Sequence, residues 1–336
     1  MDHLFSDALR QLLADHCTPQ HVRAIEAGQS AQPLWQTIED SGFADALVGE
    51  AQGGAGLALP DVFPLWELCG LHALPVPLAE TMLARALLAQ AGVARPVGSI
   101  TLAQGVLDST GALVCDSVRS GQVADWVLVS LGAESKSACR LLSAAAAHKS
   151  ASGFVLDATL QWPQASHAKA AAVASAHEVR TLQACIYAAQ LTGALMGVFN
   201  RTLQYANERS QFGRPIGKFQ AIQHQLSVIA EHSLAARMAA QIGCHSESTM
   251  PDRLRVAVAK ARTSEAALEV AALSHSIHGA IGFTEEFDLQ LFTRRLHVWR
   301  QAGGSESYWH RVLGTELVER HQGLTLDLLR VTTDID

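Results

Sequence analysis

Apolar residues recur three and four positions apart through most of the chain. Before about residue 92, this spacing is clearest at residues 9–13, 34–43 and 65–71. Because residues three and four apart lie on one face of a helix, the pattern predicts an amphipathic helical region. The glycines of residues 53–56 interrupt it and predict a loop.

The middle of the chain has a different period. Between about residues 96 and 163, short apolar and β-branched runs are separated by Gly, Ser and Asp; they are residues 100–102, 112–115, 126–129 and 154–156. Short runs between turn residues are typical of strands. The spacing predicts a small antiparallel β unit of about 70 residues, which is small for a domain.

Helical spacing returns from residue 168 and continues almost to the carboxyl end. Three sets of apolar positions follow it: Leu191, Leu195, Val198, Phe199 and Thr202; Ile222, Leu226, Ile229, Ala236 and Ala240; and Leu254, Val258, Ala261, Leu268 and Ala272. The prolines of this region, Pro215 and Pro251, are well placed for turns between helices. We expect a bundle of about four long helices.

These patterns predict a mainly α protein with a small middle β domain. The predicted domains are an N-terminal helical domain at residues 1–95, a shortened β domain at 96–165 and a C-terminal helical bundle at 166–330. A chain of 336 residues is long enough for two or three compact units.

Composition narrows the class of partner. Hydrophobic residues make up 49% of the chain and charged residues 17%, which is typical of a folded protein with large buried surfaces. The formal net charge of −7 provides no basic field for nucleic acid. The six cysteines are scattered without a CxxC pair, so neither a disulfide framework nor a metal site is predicted.

The first residues of the chain bear on its location. Residues 1–5 lack the basic segment and the apolar run of a signal peptide. We also expect no stretch of about 18 apolar residues that would cross a membrane. The sequence therefore predicts a soluble, cytoplasmic protein without a membrane span.

The segment at residues 205–220 has the most informative chemistry. It places Arg209, Gln211, Phe212 and Gln220 around a predicted turn between two helices. A planar guanidinium can donate two parallel hydrogen bonds to a diphosphate, and amides and an aromatic ring can contact a nucleotide. The alternative, from the residues alone, is an inter-helix loop with a solvated arginine and a buried Phe.

Here the sequence resembles the acyl-CoA dehydrogenase family. In that family an Arg, two further residues and a Phe-Gly pair lie between two bundle helices, and a Phe-Gln pair opens the next helix. This chain has Arg209, Phe212-Gly213 and Phe219-Gln220 at those positions. The resemblance implies that Arg209 and its neighbours bind the pyrophosphate and adenosine end of an FAD that belongs to an adjacent subunit.

A second resemblance follows the predicted third bundle helix, where the family has Gln-x-x-Gly-Gly-x-Gly. It implies that His278, Gly279 and Gly282 lie at the cofactor. The chain departs from the pattern in two places, because Ser276 replaces the glutamine and Ala280 replaces the second glycine. The alternative is that the glycines end a helix and that His278 hydrogen-bonds within the bundle.

Residues 34–42 and 48–56 resemble the family's helical N-terminal domain, where a Gly-Gly-x-Gly loop precedes another helix. This loop lacks the G-x-G-x-x-G order and the βαβ setting of a dinucleotide fingerprint, so its predicted role is structural. Together, the matches imply the family's architecture: a helical N-terminal domain, a β domain that is reduced here, and a C-terminal four-helix bundle.

The chain departs from the family at the catalytic base. Desaturation of an acyl thioester needs a base for the α-proton while hydride leaves the β-carbon. Most of the family has a glutamate before a Gly-Thr pair, where this chain has Gly303, or Ala302 after a one-residue shift. A minority has the glutamate on the first bundle helix, where this chain has Gln183, and an amide is not a base. No catalytic residue is predicted.

Two carboxylates near these positions, Glu178 and Glu306, are open as substitutes, although such residues are more often solvated. The β region lacks the Thr-Glu-Pro and Trp-Ile-Thr stretches that line the isoalloxazine in the family, while residues 124–129 resemble its later strand. The half of the site that a subunit lends to its neighbour is therefore better preserved than the half that it uses itself.

This asymmetry predicts a hetero-oligomer. The resemblance implies an α2β2 assembly with a homologous acyl-CoA dehydrogenase subunit, an acyl-CoA substrate that is often bulky, such as a steroid side chain, and an FAD held by Arg209. Two alternatives stay open. One is a self-sufficient homo-oligomer with Glu306 or Glu178 as a relocated base; the other is a cofactor-free scaffold or regulatory subunit in which Arg209 only forms salt bridges.

Overall fold

The computed structural model describes residues 2–131, 139–175, 177–246 and 250–334. The chain divides into two compact units, Met1–Leu65 with Leu74–Gln183, and Trp66–Ala73 with Ala184–Asp336. The predicted class, mainly α with a small sheet, is confirmed. The three predicted domains stay a proposal; the first unit contains both the amino-terminal helices and the sheet.

The amino-terminal helices are α1 (Asp2–His16), α2 (Pro19–Glu26), α3 (Gln32–Asp40), α4 (Leu59–Leu71) and α5 (Leu78–Gln90). Helix α2 begins after Thr18, whose side chain accepts the backbone N–H of His21, and Pro19 fits the first turn. Helix α5 forms the interior of this part, because every side chain from Leu78 to Ala89 is buried.

A buried arginine of α5 organises the start of the first unit. The guanidinium of Arg85 lies 2.5 Å from Oε1 of Glu39 and 2.9 Å from Oδ2 of Asp45. It also donates to the carbonyl oxygen of Gly98, at 3.1 Å. A buried charge is tolerated only when it is paired and hydrogen-bonded, so Arg85 fixes α3 and the residues before the sheet to α5.

Within the described parts of the chain, the sheet has seven strands: β1 (Ile100–Leu107), β2 (Leu113–Val118), β3 (Trp126–Leu131), β4 (Cys139–Ser143), β5 (His148–Ala151), β6 (Ala158–Trp162) and β7 (Ala172–Val173), with the short helix α6 (Gln164–His167) between the last two. Their order is β5-β6-β2-β1-β3-β4-β7. The predicted antiparallel arrangement is wrong for one pair, since β1 and β3 are parallel. The connection from β2 to β3 is short, residues 119–125, so β3 starts at the end of the sheet where β2 ends and β1 starts, and it runs in the direction of β1.

The predicted strand at residues 154–156 is also wrong, because this segment is a turn. Phe154 and Leu156 are buried while Val155 is exposed, and the carbonyl of Phe154 accepts the N–H of Asp157. The carboxylate of Asp157 pairs with Arg119. The apolar side chains of this run therefore close the end of the sheet without joining its ladder.

The second unit contains most of α7 (Val179–Glu208), then the strands β8 (Ser210–Gln211) and β9 (Arg214–Pro215), and the helices α8 (Gln220–Gly243), α9 (Arg253–His278), α10 (Leu289–Trp299), α11 (Glu306–Thr315) and α12 (Thr325–Thr333). The predicted helical bundle is confirmed. Helices α7, α8 and α9 are its long members, and α10 and α11 are shorter.

Two glycines bring α4 and α7 into backbone contact. A Cβ atom on Gly193 would lie 1.8 Å from the carbonyl oxygen of Glu67, and one on Gly70 would lie 1.8 Å from that of Gln190. Close beside the crossing, Glu67 accepts two hydrogen bonds from Arg237 of α8, at 2.7 and 3.1 Å. These contacts explain why residues 66–73 belong to the second unit.

Helix α7 is long and apolar enough by composition to cross a membrane. In its most apolar 18-residue window, 83% of the residues are buried inside the protein. A mostly buried helix of this kind is typical of a protein core.

Candidate functional site

A tight hairpin joins α7 to α8 and contains several of the predicted site residues. Ser210 pairs with Pro215 and Gln211 pairs with Arg214, so Phe212 and Gly213 form the turn. Both turn residues have positive φ, 52° and 79°, as a type I′ turn requires. Phe212 is 90% exposed. The alternative of a simple inter-helix loop expected a buried Phe, and that expectation is wrong. A bulky exposed residue in the left-handed region is costly, and such strain is commonest at functional sites.

Arg209 is the first residue after α7, and its side chain is exposed. Its backbone is fixed, because its N–H donates to Tyr205 and its carbonyl accepts from Ile216, both at 2.8 Å. Two further cations follow in the same segment: Arg214, whose guanidinium lies 4.3 Å from the ring centre of Phe219, and Lys218. Residues 209–218 hold these three cations and no carboxylate, which favours an anionic ligand.

The start of α8 adds donors for an anion. The residue before it, Phe219, makes no side-chain cap, and the first turn has no acidic residue. The first N–H groups of this 24-residue helix are therefore not satisfied by a side-chain cap at the positive end of its dipole. Gln220, the first residue of α8, is exposed beside them. Helix amino termini of this kind bind phosphate groups.

The end of α9 places the second predicted group. His278 is the last residue of the helix, and Gly279 follows with φ 64° and ψ −146°, a conformation that essentially only glycine adopts. A Cβ on Gly279 would have no neighbour within 4 Å, so its backbone faces open space. At Gly282, by contrast, a Cβ would lie 3.0 Å from the Cβ of His278, and the missing side chain makes room inside the protein.

His278 connects the two groups. Its ring stacks on Tyr205 with 4.4 Å between ring centres, and the Tyr205 hydroxyl donates to the His278 carbonyl at 3.4 Å. Nδ1 lies 2.8 Å from the carbonyl oxygen of Ser274 and must donate to it, which leaves Nε2 as an acceptor in the neutral ring. Nε2 is buried and has no hydrogen-bond partner among the residues that the structure describes. Burial lowers the pKa of His278, so the ring is neutral at pH 7.

Helix α8 also contacts the end of α9. The amide of Gln225 donates to the hydroxyl of Ser276 at 3.3 Å, so the residue that replaces the family's glutamine bonds within the protein. One turn earlier, His275 lies 2.9 Å from the hydroxyl of Thr293 and stacks on Phe283 at 4.1 Å. The structure thus connects the predicted stretches around residues 209, 220 and 278.

These residues fit the diphosphate and adenosine end of FAD. The segment supplies cations and helix N–H groups for phosphate, open backbone at Gly279, and a buried imidazole acceptor on His278 that no protein donor uses. Arg209, Gln211 and Gln220 are all exposed and able to contact a ligand. The fit concerns this end of the cofactor alone.

The two positions for a base in the late loop lack any proton acceptor on a side chain. Ala302 is buried, and Gly303 has a φ of 68°. The Gly303 carbonyl accepts from Nε1 of Trp309 at 3.0 Å. At Gly304, with φ 104°, a Cβ would lie 2.9 Å from that same indole nitrogen. The loop is therefore packed as a glycine turn.

A buried lysine fixes the start of this loop. Nζ of Lys260, which is 0% exposed, donates to Ser264 at 2.9 Å and to the carbonyls of Trp299 and Arg300 at 3.0 and 2.8 Å. These carbonyls end α10, where its dipole is negative and favours a cation. The loop keeps a defined shape although it carries no base.

The substitute carboxylates are both engaged. Oε1 of Glu306 pairs with Arg300, while its Oε2 is buried without a hydrogen-bond partner. Glu178 precedes α7 and accepts from the hydroxyl of Thr181 at 3.1 Å. At the alternate position, Nε2 of Gln183 donates to the carbonyl of Leu102 at 2.9 Å. A glutamate cannot donate that bond when ionised.

Sequence reasoning missed three residues of this arrangement: Tyr205, Arg214 and Lys260. Tyr205 lies four positions before Arg209, in the last turn of the helix that Arg209 follows, and this spacing signals neighbours on one face. Lys260 had a signal too, because it directly follows the apolar run of residues 256–259. Nothing in the sequence pairs Tyr205 with His278, since 73 positions separate them.

Comparisons with known proteins identify the family to which the chain is similar. Residues 182–317 match the family model described as "Acyl-CoA dehydrogenase, C-terminal domain". Acyl-CoA dehydrogenase IpdE2 of Mycobacterium tuberculosis is 30% identical over 299 residues, which cover 88% of this chain and 90% of that protein. IpdE2 of Mycolicibacterium smegmatis is 29% identical, with 88% and 91% covered.

Two solved structures are similar along nearly the whole chain. A variant of the Tcur3481–Tcur3483 steroid ACAD has a TM-score of 0.81 and 26% identity, with 94% of this chain and 96% of that chain covered. The ChsE4–ChsE5 complex from Mycobacterium tuberculosis has a TM-score of 0.80 and 21% identity, with 95% and 98% covered. At that identity the second likeness shows the fold alone.

Proposed function

The chain belongs to the acyl-CoA dehydrogenase family, and from that premise we propose that it is a subunit that holds the nucleotide half of FAD in a hetero-oligomer. A homologous partner subunit supplies the catalytic base and the pocket for the flavin ring. The reaction is the α,β-desaturation of an acyl-CoA thioester. Family membership supports an oxidoreductase role, and the hetero-oligomer is proposed in addition.

The observation that carries the proposal is the contrast between the two halves of the site. The nucleotide half keeps its chemistry: cations at Arg209 and Arg214, an α8 start without a side-chain cap, and the His278 acceptor. The base half has Gly303 and Gln183 at the positions of a glutamate. Proton abstraction by this chain alone has no acceptor at either position.

Each residue has a separate task under this proposal. Arg209 and the N–H groups of α8 bind and neutralise the diphosphate. His278, held by Ser274 and stacked on Tyr205, accepts a hydrogen bond from the adenosine end. Gly279 leaves room for the ligand to approach the backbone. When bound, FAD supplies the acceptor for the hydride that leaves the β-carbon.

The relatives indicate the kind of assembly and substrate. The ChsE4–ChsE5 structure is that of a complex, and the Tcur3481–Tcur3483 protein is described as a steroid ACAD. By analogy with them we propose an α2β2 assembly and a bulky acyl-CoA, such as one with a steroid-derived group. The six cysteines are free and buried, which fits the cytoplasm as the proposed compartment.

Arg209→Ala tests the nucleotide half directly. The complex with the partner subunit is purified and its FAD is counted per pair of chains. We expect the variant to lose at least about tenfold in FAD affinity, because a charge-assisted bidentate contact is worth roughly 1.5–3 kcal/mol. Arg320→Ala is the matched control, since that arginine is exposed in the same unit. Equal FAD retention in both variants would remove the support for Arg209.

A self-sufficient enzyme remains a second candidate because Oε2 of Glu306 is buried and has no hydrogen-bond partner. If Glu306 is a relocated base, the pure chain desaturates an acyl-CoA and Glu306→Gln abolishes the turnover. The pairing of its other oxygen with Arg300 supports a structural role instead. A cofactor-free scaffold, the third alternative, predicts colourless complexes even with the partner present.

A further inference from the structure

A cleft in the first unit involves none of the residues assigned above to the cofactor or the base. Its volume is about 530 Å³. Its walls come from one face of α3, the turn before β1, the start of β3 and the β5 strand. Its lining includes Gln32, Val97, Asp125, Trp126 and Lys149.

The acidic groups of the cleft are already satisfied. Oδ2 of Asp125 accepts the N–H and the hydroxyl of Ser99, at 2.8 and 2.9 Å, and Oδ1 accepts the amide of Gln32 at 3.0 Å. Glu39 accepts the indole N–H of Trp35 at 2.8 Å and pairs with Arg85. These carboxylates shape the walls, and little of their acceptor capacity is left for a cationic ligand.

Lys149 is a cation of the cleft with donor capacity to spare. The half-buried ammonium donates to the carbonyls of Gly121 and Gln122 at 2.9 and 3.4 Å, which uses two of its three N–H groups. Burial lowers the pKa of Lys149, while the charge of Asp125 raises it. A partly desolvated ammonium gains more from an anionic partner than a solvated one does.

The remaining wall is apolar and fixed. The indole N–H of Trp126 donates to the carbonyl of Val97 at 3.0 Å, which holds the ring in place. The side chain of Val97 is 81% exposed. A held indole beside an exposed aliphatic side chain provides a surface for a flat apolar group.

We propose that this cleft binds a small monocarboxylate with a planar apolar body. The carboxylate pairs with Lys149 and the flat body lies against Trp126 and Val97. The charge of Asp125 acts on Lys149, and Glu39 pairs with Arg85, so carboxylates already lie near the ammonium and repel a ligand with one negative charge less than a ligand with several. This site is independent of the proposed flavin function.

Three probes of one shape test the proposal on the full chain: benzoate, benzamide and benzylamine. Each is titrated by calorimetry and by the fluorescence of the tryptophans. We expect benzoate to bind at about 1–10 mM, as suits so small a ligand, with benzamide at least tenfold weaker and benzylamine not binding. Lys149→Gln weakens benzoate about tenfold, while Lys169→Gln, a change of an exposed lysine, leaves it unchanged.

A second measurement needs no variant. Acetylation of lysines by acetic anhydride is followed by mass spectrometry, and benzoate slows labelling of Lys149 relative to Lys169. The proposal is overturned if benzamide binds as tightly as benzoate or if benzylamine binds more tightly than benzoate. It is also overturned if benzoate at 20 mM, about twice the weakest expected Kd, leaves the labelling of Lys149 unchanged.

Discussion

The side-chain amide of Gln183 donates a hydrogen bond that an ionised glutamate cannot donate. Its partner is the carbonyl of Leu102, the acceptor at 2.9 Å. A carboxylate in its place would put two acceptors face to face and leave both without a donor. The residue at the alternate base position is therefore suited to an amide, and the same chemistry explains why it does not act as a base.

Gln183→Glu consequently lowers stability without creating an enzyme. We expect the free energy of unfolding in urea to fall by about 1–3 kcal/mol, because a buried acceptor loses its donor. The lone variant shows no turnover of acyl-CoA. Gln241→Glu, at an exposed position of α8, serves as the control and changes stability by less than about 0.5 kcal/mol. A variant that is stable and active would show that the position accepts a base after all.

Three histidines near the end of α9 make stability depend on pH. Burial lowers the pKa of His275, His278 and His297; a neighbouring histidine lowers the first two further, and Arg300 lowers the third. Folded-state pKa values below the usual 6.5 mean that the unfolded chain binds more protons. The free energy of unfolding therefore falls as the pH drops below about 7 and levels off once the folded state is also protonated.

Urea titrations at pH 7.5, 6.5 and 5.5 measure this dependence. His278→Gln should make the fall in stability shallower, because one of the proton-linked groups is removed. His148→Gln, a change of an exposed histidine in the first unit, should keep the wild-type slope. A slope that is equal in all three proteins would contradict the assignment to His278.

The crossing of α4 and α7 is the most sharply constrained contact between elements. Gly193→Ala would place a methyl group 1.8 Å from the Glu67 carbonyl oxygen, and a backbone atom cannot give way as a side chain can. We expect a loss of about 3 kcal/mol or more in thermal or urea unfolding. Gly314→Ala in α11 meets nothing within 4 Å and should be neutral or stabilising by up to about 1 kcal/mol. Similar values for both variants would mean that the helices separate easily.

At the level of elements, helical periodicity in the sequence predicts most of the fold. The long apolar repeats at residues 191–202, 222–240 and 254–272 each lie within one helix, α7, α8 and α9. The sheet was harder to predict from the sequence, because the order in which strands pair depends on contacts between distant segments. The parallel pairing of β1 and β3 follows from where β3 joins the sheet, and local apolar runs contain no sign of it.

Part of the site could be predicted because its residues lie close together in the sequence. The hairpin with Arg209 and Phe212 is local, and turn residues with neighbouring charges mark it in the sequence. The contact of Tyr205 with His278 joins two helices, so periodicity alone cannot give it. The exposed and strained state of Phe212 is a property of the folded turn, and the sequence favoured neither exposure nor burial.

At the scale of the whole molecule, the chain has the fold of its family, while its proposed site has no base at the predicted positions. Its likeness to solved structures covers 94% of the chain, and it belongs to the acyl-CoA dehydrogenase family. Yet Gly303 and Gln183 stand at the base positions while Arg209 stands at the nucleotide. The proposed function accounts for this combination, because a subunit that works with a partner would need only the residues that it lends.

The visible spectrum of the purified chain, alone and with a co-expressed homologous subunit, tests this claim most directly. FAD is counted per chain, and an acyl-CoA is added to bleach the flavin absorbance. We expect little or no flavin on the lone chain and one FAD per pair of unlike chains in the complex. We expect acyl-CoA to bleach the flavin in the complex alone. A lone chain that is yellow and bleaches with acyl-CoA would contradict this claim, because a base would then lie within this chain.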